Sequence, residues 1–317
     1  MRVGVTGALG HIGSRLIRDL AGVHPGIEIV MLDNLATERH ASLVDLPDSA
    51  RYEFVEDDIL HADLPRVFAG VDAVVHLAAI THMRVGDGND QMRRVNVDGT
   101  ARVARACASL GAPLLFPSTT SVYGMAHGVA GEESGQLHPH SAYAAWKLES
   151  EQALCEMAAR DGLRLAICRM GTVFGPSVGM RFHTAVNRFC WRAFSRQPLE
   201  IWRTAAQQYR PYLALEDAVR AMLFILVRDQ FDGRVYNVAT TNATVSDVVA
   251  VLAGVAPQVQ TTLVDSPLMN AWSYCADTGR LAQLGFEFHG SLERGIGETM
   301  QALLAQRRAA LESGFVG

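Results

Sequence analysis

Lysine is all but missing from this chain. Of the 28 lysines and arginines only Lys147 is a lysine, so every other basic position has accepted a guanidinium. An excess of positive charge is missing as well: the formal net charge is -5 and the pI about 6.1, without the basic footprint of a nucleic-acid binder. Five cysteines are present, Cys107, Cys155, Cys168, Cys190 and Cys275, but they form no CxxC or Cys/His spacing that zinc would need. Their odd number and scatter point to reduced core thiols of a cytosolic protein. No apolar run is long enough to cross a bilayer, and a strand-like run that begins at the second residue leaves no room for a signal peptide. The expectation is a cytoplasmic protein with neither a membrane nor a nucleic-acid partner and with no metal.

What is present describes a compact globular protein. Hydrophobic residues make up 49% and charged residues 19%, well away from disordered compositions. A length of 317 residues suits one large or two closely joined domains. Short apolar, β-branched runs recur at 3–6, 27–32, 52–55, 73–77, 114–116 and 163–168, with helix-length segments between most of them. That alternation predicts an α/β fold, a doubly wound parallel sheet with helices on both faces. The clearest helices are expected at 11–21, 91–110 and 141–160. Beyond residue 170 the rhythm changes to a loop at 171–179, an Arg-rich helix, a return segment at 209–217 and further helices. A capping-box pattern from Thr244 to Asp247 opens one of these. The expected division is a first domain over 1–170, rejoined by a later strand and helix near 210–240, and a smaller, mostly helical lobe over 171–317.

Gly7, Gly10 and Gly13 form GxxGxxG between a strand and a helix, directly after Thr6. Glycines there let the backbone approach a pyrophosphate, which then sits on the amides of His11 and Ile12 at the positive end of the helix. A tight turn with no ligand is the plain alternative. Asp33 argues against it: it lies twenty residues after Gly13 and ends the second apolar run, where a carboxylate accepts hydrogen bonds from a ribose diol. That carboxylate repels a 2'-phosphate, and the adjoining Asn34 and Leu35 offer no arginine to receive one. NAD is therefore expected rather than NADP. Asp58 and Ile59 are placed to meet the adenine, or else close an exposed acidic turn with Glu56 and Asp57.

Tyr143 and Lys147 are four apart in a helical segment, so both side chains leave one face about a turn apart. Using a phenol as a base near neutrality requires roughly 4 kcal/mol of preferential stabilisation of the phenolate. A neighbouring ammonium and a positive nicotinamide ring supply charges of that kind. YxxxK alone also describes a surface tyrosine beside a solvated lysine. The scarcity of lysine weighs against this, because an ammonium is compact and can donate a proton where a guanidinium cannot. Upstream, the hydroxyls of Ser118, Thr119, Thr120 and Ser121 follow the run 114–116, at the strand edge where open α/β sheets bind ligands.

These residues resemble the extended short-chain dehydrogenase/reductase family, in its branch of nucleotide-sugar epimerases and dehydratases. The resemblance spans most of the chain. It rests on the TGxxGxxG opening, Asp33, Asp58-Ile59, His76-Leu77-Ala78-Ala79, Asn96 with Gly99-Thr100, the run 119–124, YxxxK, Phe174-Gly175-Pro176 and the segment from Arg210 to Asp217. It implies a Rossmann fold and an NAD site that includes Leu77, Ala78, Ala79 and Asn96. By the resemblance Thr119 is the catalytic hydroxyl, Tyr143 the general base and acid, and Lys147 the ribose-binding residue that lowers the tyrosine pKa. Family dehydratases carry an Asp-Glu pair after the catalytic hydroxyl, and family sugar-acid decarboxylases a Glu just before VYG. Here Thr120 and Ser121 stand in those places, so epimerisation at C4 through a transient ketone is favoured. Oxidation or reduction of a related sugar or polyol, and a redox-sensing NAD-binding protein, are the competing readings. A homodimer through the helices at 91–110 and 141–160 is expected from the family.

Six arginines, Arg181, Arg188, Arg192, Arg196, Arg203 and Arg210, and one acid, Glu200, lie between residues 171 and 210. An anionic small molecule, a nucleotide sugar, is the natural partner. Arg188, Arg192 and Arg196 also fit a solvated helical stripe. Arg210 stands where the family places a pyrophosphate-binding arginine. Thr81, His82, Thr120, Thr172, Arg181 and Arg203 are the other substrate-binding candidates, and Met83, His183 and Asn187 are further possible lining residues. The family pattern breaks at Gly171-Thr172, usually Phe-Asn, and at 203–206, usually a Gly-Asp-Gly turn; a second diphosphate arginine is missing from 266–273.

Overall fold

The computed structural model describes residues 1–81, 89–124, 126, 128–135, 137–265 and 273–312. In chain order the first half contains β1 (Arg2–Thr6), α1 (His11–Leu20), β2 (Glu28–Asp33), β3 (Arg51–Glu56), α2 (Leu64–Val67), β4 (Ala73–His76), α3 (Asn89–Arg93), a π-helix (Arg94–Gly99), α4 (Thr100–Leu110), β5 (Leu114–Thr119), β6 (Gly128–Ala130) and α5 (Ala142–Asp161). The second half adds β7 (Leu165–Met170), β8 (Thr172–Phe174), α6 (Ala185–Phe194), β9 (Leu199–Trp202), β10 (Tyr209–Ala214), α7 (Leu215–Val227), β11 (Val235–Val238), β12 (Thr241–Thr244), α8 (Val245–Val255), β13 (Thr261–Val264), β14 (Tyr274–Ala276), α9 (Gly279–Gln283) and α10 (Leu292–Glu312).

Seven parallel strands form the central sheet in the order β11-β7-β5-β4-β1-β2-β3. The order reverses between β1 and β4, which opens a crevice beyond their carboxyl ends, the place where such sheets bind ligands. Apolar residues fill both faces. On one, Leu16, Ile17 and Leu20 of α1 and Val219, Met222 and Ile225 of α7 pack with Val3 and Val5. On the other, Val103 and Cys107 of α4 and Leu154 and Met157 of α5 pack with Val30, Leu32, Leu114 and Phe116. Each such side chain contributes roughly 1.5–3 kcal/mol on burial.

A third cluster joins α6, α8 and α10 through Val186, Phe189, Leu252, Ile296 and Met300. This lobe also carries strands that its helix-rich pattern does not announce. β12 runs antiparallel to β10 and β10 parallel to β8, while β13 pairs with β9 and β14 with β6. Gly171 is the residue that lets β8 in, because a Cβ there would lie 2.8 Å from the Pro211 carbonyl oxygen. The expected capping box at α8 is present, with Thr244 and Asp247 each bonding the other's backbone amide.

The segment expected as one helix over 91–110 is interrupted by the π-helix. Its wider turn brings the Asn96 side chain to Ile80, accepting from the Ile80 amide at 2.8 Å and donating to the Ile80 carbonyl at 2.8 Å. π-turns cluster at functional sites, and this one braces the loop that leaves β4. The cysteines divide: Cys107, Cys168 and Cys190 are buried as expected of core thiols, whereas Cys155 is exposed on α5 and Cys275 partly exposed. Among the described residues no helix is long and apolar enough to cross a membrane, and no group of three His, Cys, Asp or Glu residues is placed to hold a metal.

Candidate active site

The turn after β1 needs its glycines. Gly7 has φ +64°, and a Cβ on it would lie 2.6 Å from the Ala78 nitrogen, while a Cβ on Gly13 would press into the Gly7 carbonyl oxygen. Gly10 caps α1 without a side-chain hydrogen bond, so the first-turn amides are left for a ligand, where the helix dipole favours an anion. Asp33, at the end of β2, accepts from the Leu9 amide with one oxygen and from the Leu35 amide with the other, each at 3.0 Å. Both oxygens keep a lone pair for a diol. Asn34 donates to Asp58 at 2.8 Å and Asp58 accepts from the Leu60 amide at 2.8 Å. Ile59 is buried beneath Gly99.

A buried relay fixes the turn at 77–79. Thr100 donates to the Asn96 carbonyl at 2.6 Å, so His76 donates through Nε2 to the Thr100 oxygen at 3.0 Å and accepts through Nδ1 from Thr6 at 2.7 Å. Thr6 in turn accepts from the Ala78 amide at 3.1 Å. Burial, with the Lys147 charge, pushes the His76 pKa down to about 3, which keeps the ring neutral in this relay.

Thr119 ends β5, and its oxygen accepts from the Ser121 amide at 3.1 Å. Ser141 caps α5, which presents Tyr143 and Lys147 from its first turns. Lys147 is buried; its ammonium donates to the Pro117 carbonyl at 2.8 Å and lies 4.3 Å from the Phe116 ring centre. Burial lowers its pKa to about 8, against the opposing charge of Glu151. Burial raises the partly exposed Tyr143 above its ordinary 10, and the cation that opposes the rise is Arg181.

Arg181 draws together residues from distant parts of the chain. Its guanidinium donates to Thr81 at 2.8 Å, and His183 lies 3.4 Å from the same hydroxyl. Its charge also acts on His11, with those of Arg39 and His183, and burial together with these cations takes the His11 pKa down to about 3. Ser177 bonds His11 at 2.8 Å, the Gly179 amide donates to Ser14 at 3.0 Å, and Asn187 accepts from the Gly175 amide at 3.1 Å. The loop between β8 and α6 thus lies on the glycine turn. Two buried polar atoms here, His11 Nε2 and Arg181 Nε, have no hydrogen-bond partner among the described residues. Open amides, the glycine cradle and the cations acting on His11 fit the diphosphate of a dinucleotide.

Arg39 was not singled out from sequence. It lies near Asp33, whose charge favours its guanidinium against the cost of burial, and near Gly10. The statement that no arginine adjoins Asp33 therefore holds along the chain and fails in space: Leu35 and Glu38, both at φ 53°, curl the intervening segment back.

The substrate candidates separate. Thr120 is buried, its carbonyl and hydroxyl facing the Tyr274 hydroxyl at 2.9 and 3.4 Å. Arg210 on β10 sits 5.9 Å from the Tyr274 ring and bonds the Tyr209 carbonyl and Gln208, which ties it to the lip of the site. Thr172 lies on β8 opposite Tyr212. Arg203 is exposed and paired with Asp265 at 3.4 Å. Glu200 receives Arg192 at 3.1 Å and Arg188 at 4.0 Å, so these two belong to a surface stripe, as does the exposed Arg196. Asn187 is fully buried and holds the loop rather than lining the pocket. His82, Met83 and the segment 266–272 lie outside the described residues.

Strand order and glycine cradle define a dinucleotide-binding α/β fold of the Rossmann type. The model of the NAD dependent epimerase/dehydratase family matches residues 3–239, and the chain belongs to that family. Among its relatives is the trifunctional UDP-glucose 4,6-dehydratase/UDP-4-keto-6-deoxy-D-glucose 3,5-epimerase/UDP-4-keto-L-rhamnose-reductase RHM1 of Arabidopsis thaliana, 30% identical over 93% of this chain and 46% of the relative. The chain thus spans about half the length of that protein. The uncharacterized UDP-glucose epimerase YtcB of Bacillus subtilis strain 168 is 29% identical over 90% of this chain and 92% of its own. The structure is similar to that of UDP-glucuronic acid 4-epimerase from Bacillus cereus in complex with UDP-glucuronic acid and NAD, with a TM-score of 0.87 at 26% identity, covering 96% of this chain and all of the other.

Proposed function

We propose that this protein is an NAD-dependent epimerase that inverts C4 of a nucleotide-activated sugar through a transient keto intermediate. The observation that carries the reading is the run of hydroxyls at 119–121, which follows β5 and packs beside the helix that carries Tyr143 and Lys147, with no carboxylate among the charges of the described residues acting on Tyr143. Without an acid there to protonate a leaving hydroxyl, elimination of water lacks a donor. Proton abstraction and return need only the phenol.

In this mechanism Thr119 hydrogen-bonds the sugar hydroxyl, and Tyr143 removes its proton. Lys147 binds the nicotinamide ribose, and its charge favours the phenolate. Bound NAD supplies the hydride acceptor and then the donor. Tyr143 gives the proton back once the sugar has turned its other face. Gly7, Gly10 and Gly13 with the His11 and Ile12 amides hold the diphosphate of the cofactor. Asp33 and Asn34 hold its ribose, and Asp58, Ile59, the turn at 77–79 and Asn96 shape the rest of its bed. Arg210 binds the diphosphate of the substrate.

Arg181 with Thr81, close to Tyr143 and with an unpartnered Nε, favours a sugar that carries a negative group, of the kind named for the Bacillus cereus protein. We assign residues 1–170 and 210–240 to cofactor binding and the rest of 171–317 to the substrate, in a cytoplasmic homodimer whose interface is α4 and α5.

The test is to incubate the purified protein with UDP-, GDP- and CDP-sugars, acidic and neutral, with no cofactor added, and to assay both epimers and NADH. Catalytic interconversion with no net NADH is expected. Stoichiometric NADH without an epimer refutes the reading in favour of a dehydrogenase.

A further inference from the structure

Beside the reacting pair lies a buried carboxylate that belongs to neither member of it. Glu151 follows Lys147 by one helical turn on the same face of α5 and is almost fully buried, with a side-chain exposure of 4%, against 5% for Arg169 of β7. Arg169 donates to one carboxylate oxygen of Glu151 through two nitrogens, at 3.1 and 2.7 Å, and its Nε also reaches the other oxygen at 3.2 Å, to which the Ser118 hydroxyl donates. Arg169 also donates to the Tyr123 hydroxyl at 3.1 Å, and Tyr123 donates to Asn237 at 2.7 Å. An ion pair this deep carries a desolvation cost that its attraction often only balances. A packed apolar pair would hold α5 against the sheet as well.

Lys147 explains what an apolar pair could not do. No carboxylate among the described residues lies within ion-pair distance of its ammonium, whose hydrogen-bond acceptor is the Pro117 carbonyl. Ser118, the next residue along β5, is bound to Glu151. The carboxylate therefore acts on Lys147 in two ways: through space, and through the strand that carries its acceptor.

We propose that Glu151, fixed by Arg169 and Ser118, is the positioning residue that keeps Lys147 charged and aimed at the cofactor ribose, with Arg169 trimming how much of the negative charge the lysine feels. The proposal rests on the assignment of Tyr143 and Lys147 as the reacting pair. Among the described residues, the charged and titratable groups coupled to Lys147 are Glu151 from α5 and the neutral His76 from β4; Tyr143 precedes it by one turn of α5, Arg169 of β7 lies behind Glu151, and Tyr123 stands beyond Arg169.

The scarcity of lysine gives a direct test. Because Lys147 is the sole lysine, protein grown with lysine labelled at Nζ with nitrogen-15 shows one side-chain resonance. Its shift against pH reads the lysine titration without turnover, in the full chain with and without NAD. Replacing Glu151 by an isosteric amide, Glu151→Gln, leaves Arg169 as an uncompensated cation, and the midpoint is expected to fall by on the order of one pH unit. Arg169→Met exposes Lys147 to the full charge of Glu151, and the midpoint is expected to rise.

A purely structural brace predicts a different pattern, since either change then loosens the pocket and moves the midpoint up. An unchanged or raised midpoint in Glu151→Gln overturns the proposal. Should that variant not fold, a midpoint in Arg169→Met that falls or stays put overturns it. Neither result bears on which sugar is epimerised, and loss of the epimerase reading leaves the lysine titration as it is.

Discussion

Replacing Lys147 by methionine should destroy activity and stabilise the fold. Burial takes the lysine pKa from 10.5 to about 8, a difference that corresponds to about 3 kcal/mol of strain in the charged folded state. The folded lysine loses its proton near pH 8 and the unfolded one near 10.5, so between these values the unfolded state binds more protons and stability rises with pH. Below pH 8 the whole penalty is present. Methionine removes it but leaves the Pro117 carbonyl without its donor, a loss of about 1 kcal/mol. The net gain is then about 2 kcal/mol at pH 7, which for a chain of 317 residues is about 3 °C in Tm. Calorimetry on protein stripped of cofactor measures it, since bound NAD would add its own mass-action stabilisation. The gain should shrink as pH rises, reach zero a little below pH 10, and become a loss of about 1 kcal/mol above the unfolded-state pKa of 10.5. A Tm at pH 7 equal to or below that of the parent, or a gain that grows with pH, refutes the burial argument.

Arg181→Leu removes the cation that opposes the rise of the Tyr143 pKa, so the ascending limb of kcat/KM against pH should move up by on the order of one unit; an unmoved limb separates Arg181 from the tyrosine. Gly13→Val presses a side chain into the Gly7 and Ala8 carbonyls and should weaken NAD binding by at least about tenfold, or roughly 1.4 kcal/mol, measured by calorimetric titration; parent-like affinity would place the cofactor elsewhere. Thr244→Ala removes one half of the capping box at α8 and should cost about 1 kcal/mol in denaturant unfolding with KM unchanged.

Features carried by neighbours in sequence were legible before the fold was known. The alternating apolar runs became six of the seven strands of the central sheet, and the GxxGxxG turn, Thr119 at a strand end, the Tyr143–Lys147 spacing and the Thr244 cap all depend on residues a few positions apart. What stayed hidden depends on contacts between distant segments. Tyr274 of β14 pairs with Gly128 of β6 from a distant part of the chain, and Ser177 reaches His11 across 166 positions of sequence. Arg39 returns to Asp33 only because two residues adopt left-handed backbone. The Arg-rich helix was legible as a solvated stripe, but not what its arginines pair with. Its periodicity says nothing of Glu200, whose position on β9 turns Arg188 and Arg192 into a surface ion network.

The one composition signal that survives into the chemistry is the lysine. A guanidinium stays protonated at any working pH, so an arginine at position 147 would hold a fixed charge in a slot bounded by the Pro117 carbonyl and the Phe116 ring. The ammonium there titrates near pH 8, close enough to neutrality that its charge answers to Glu151, to Arg169 and to whatever the cofactor adds. A base that must take a proton and later return it needs a neighbour whose field can be adjusted. On the mechanism proposed above, the position whose charge is tuned is the one that keeps lysine.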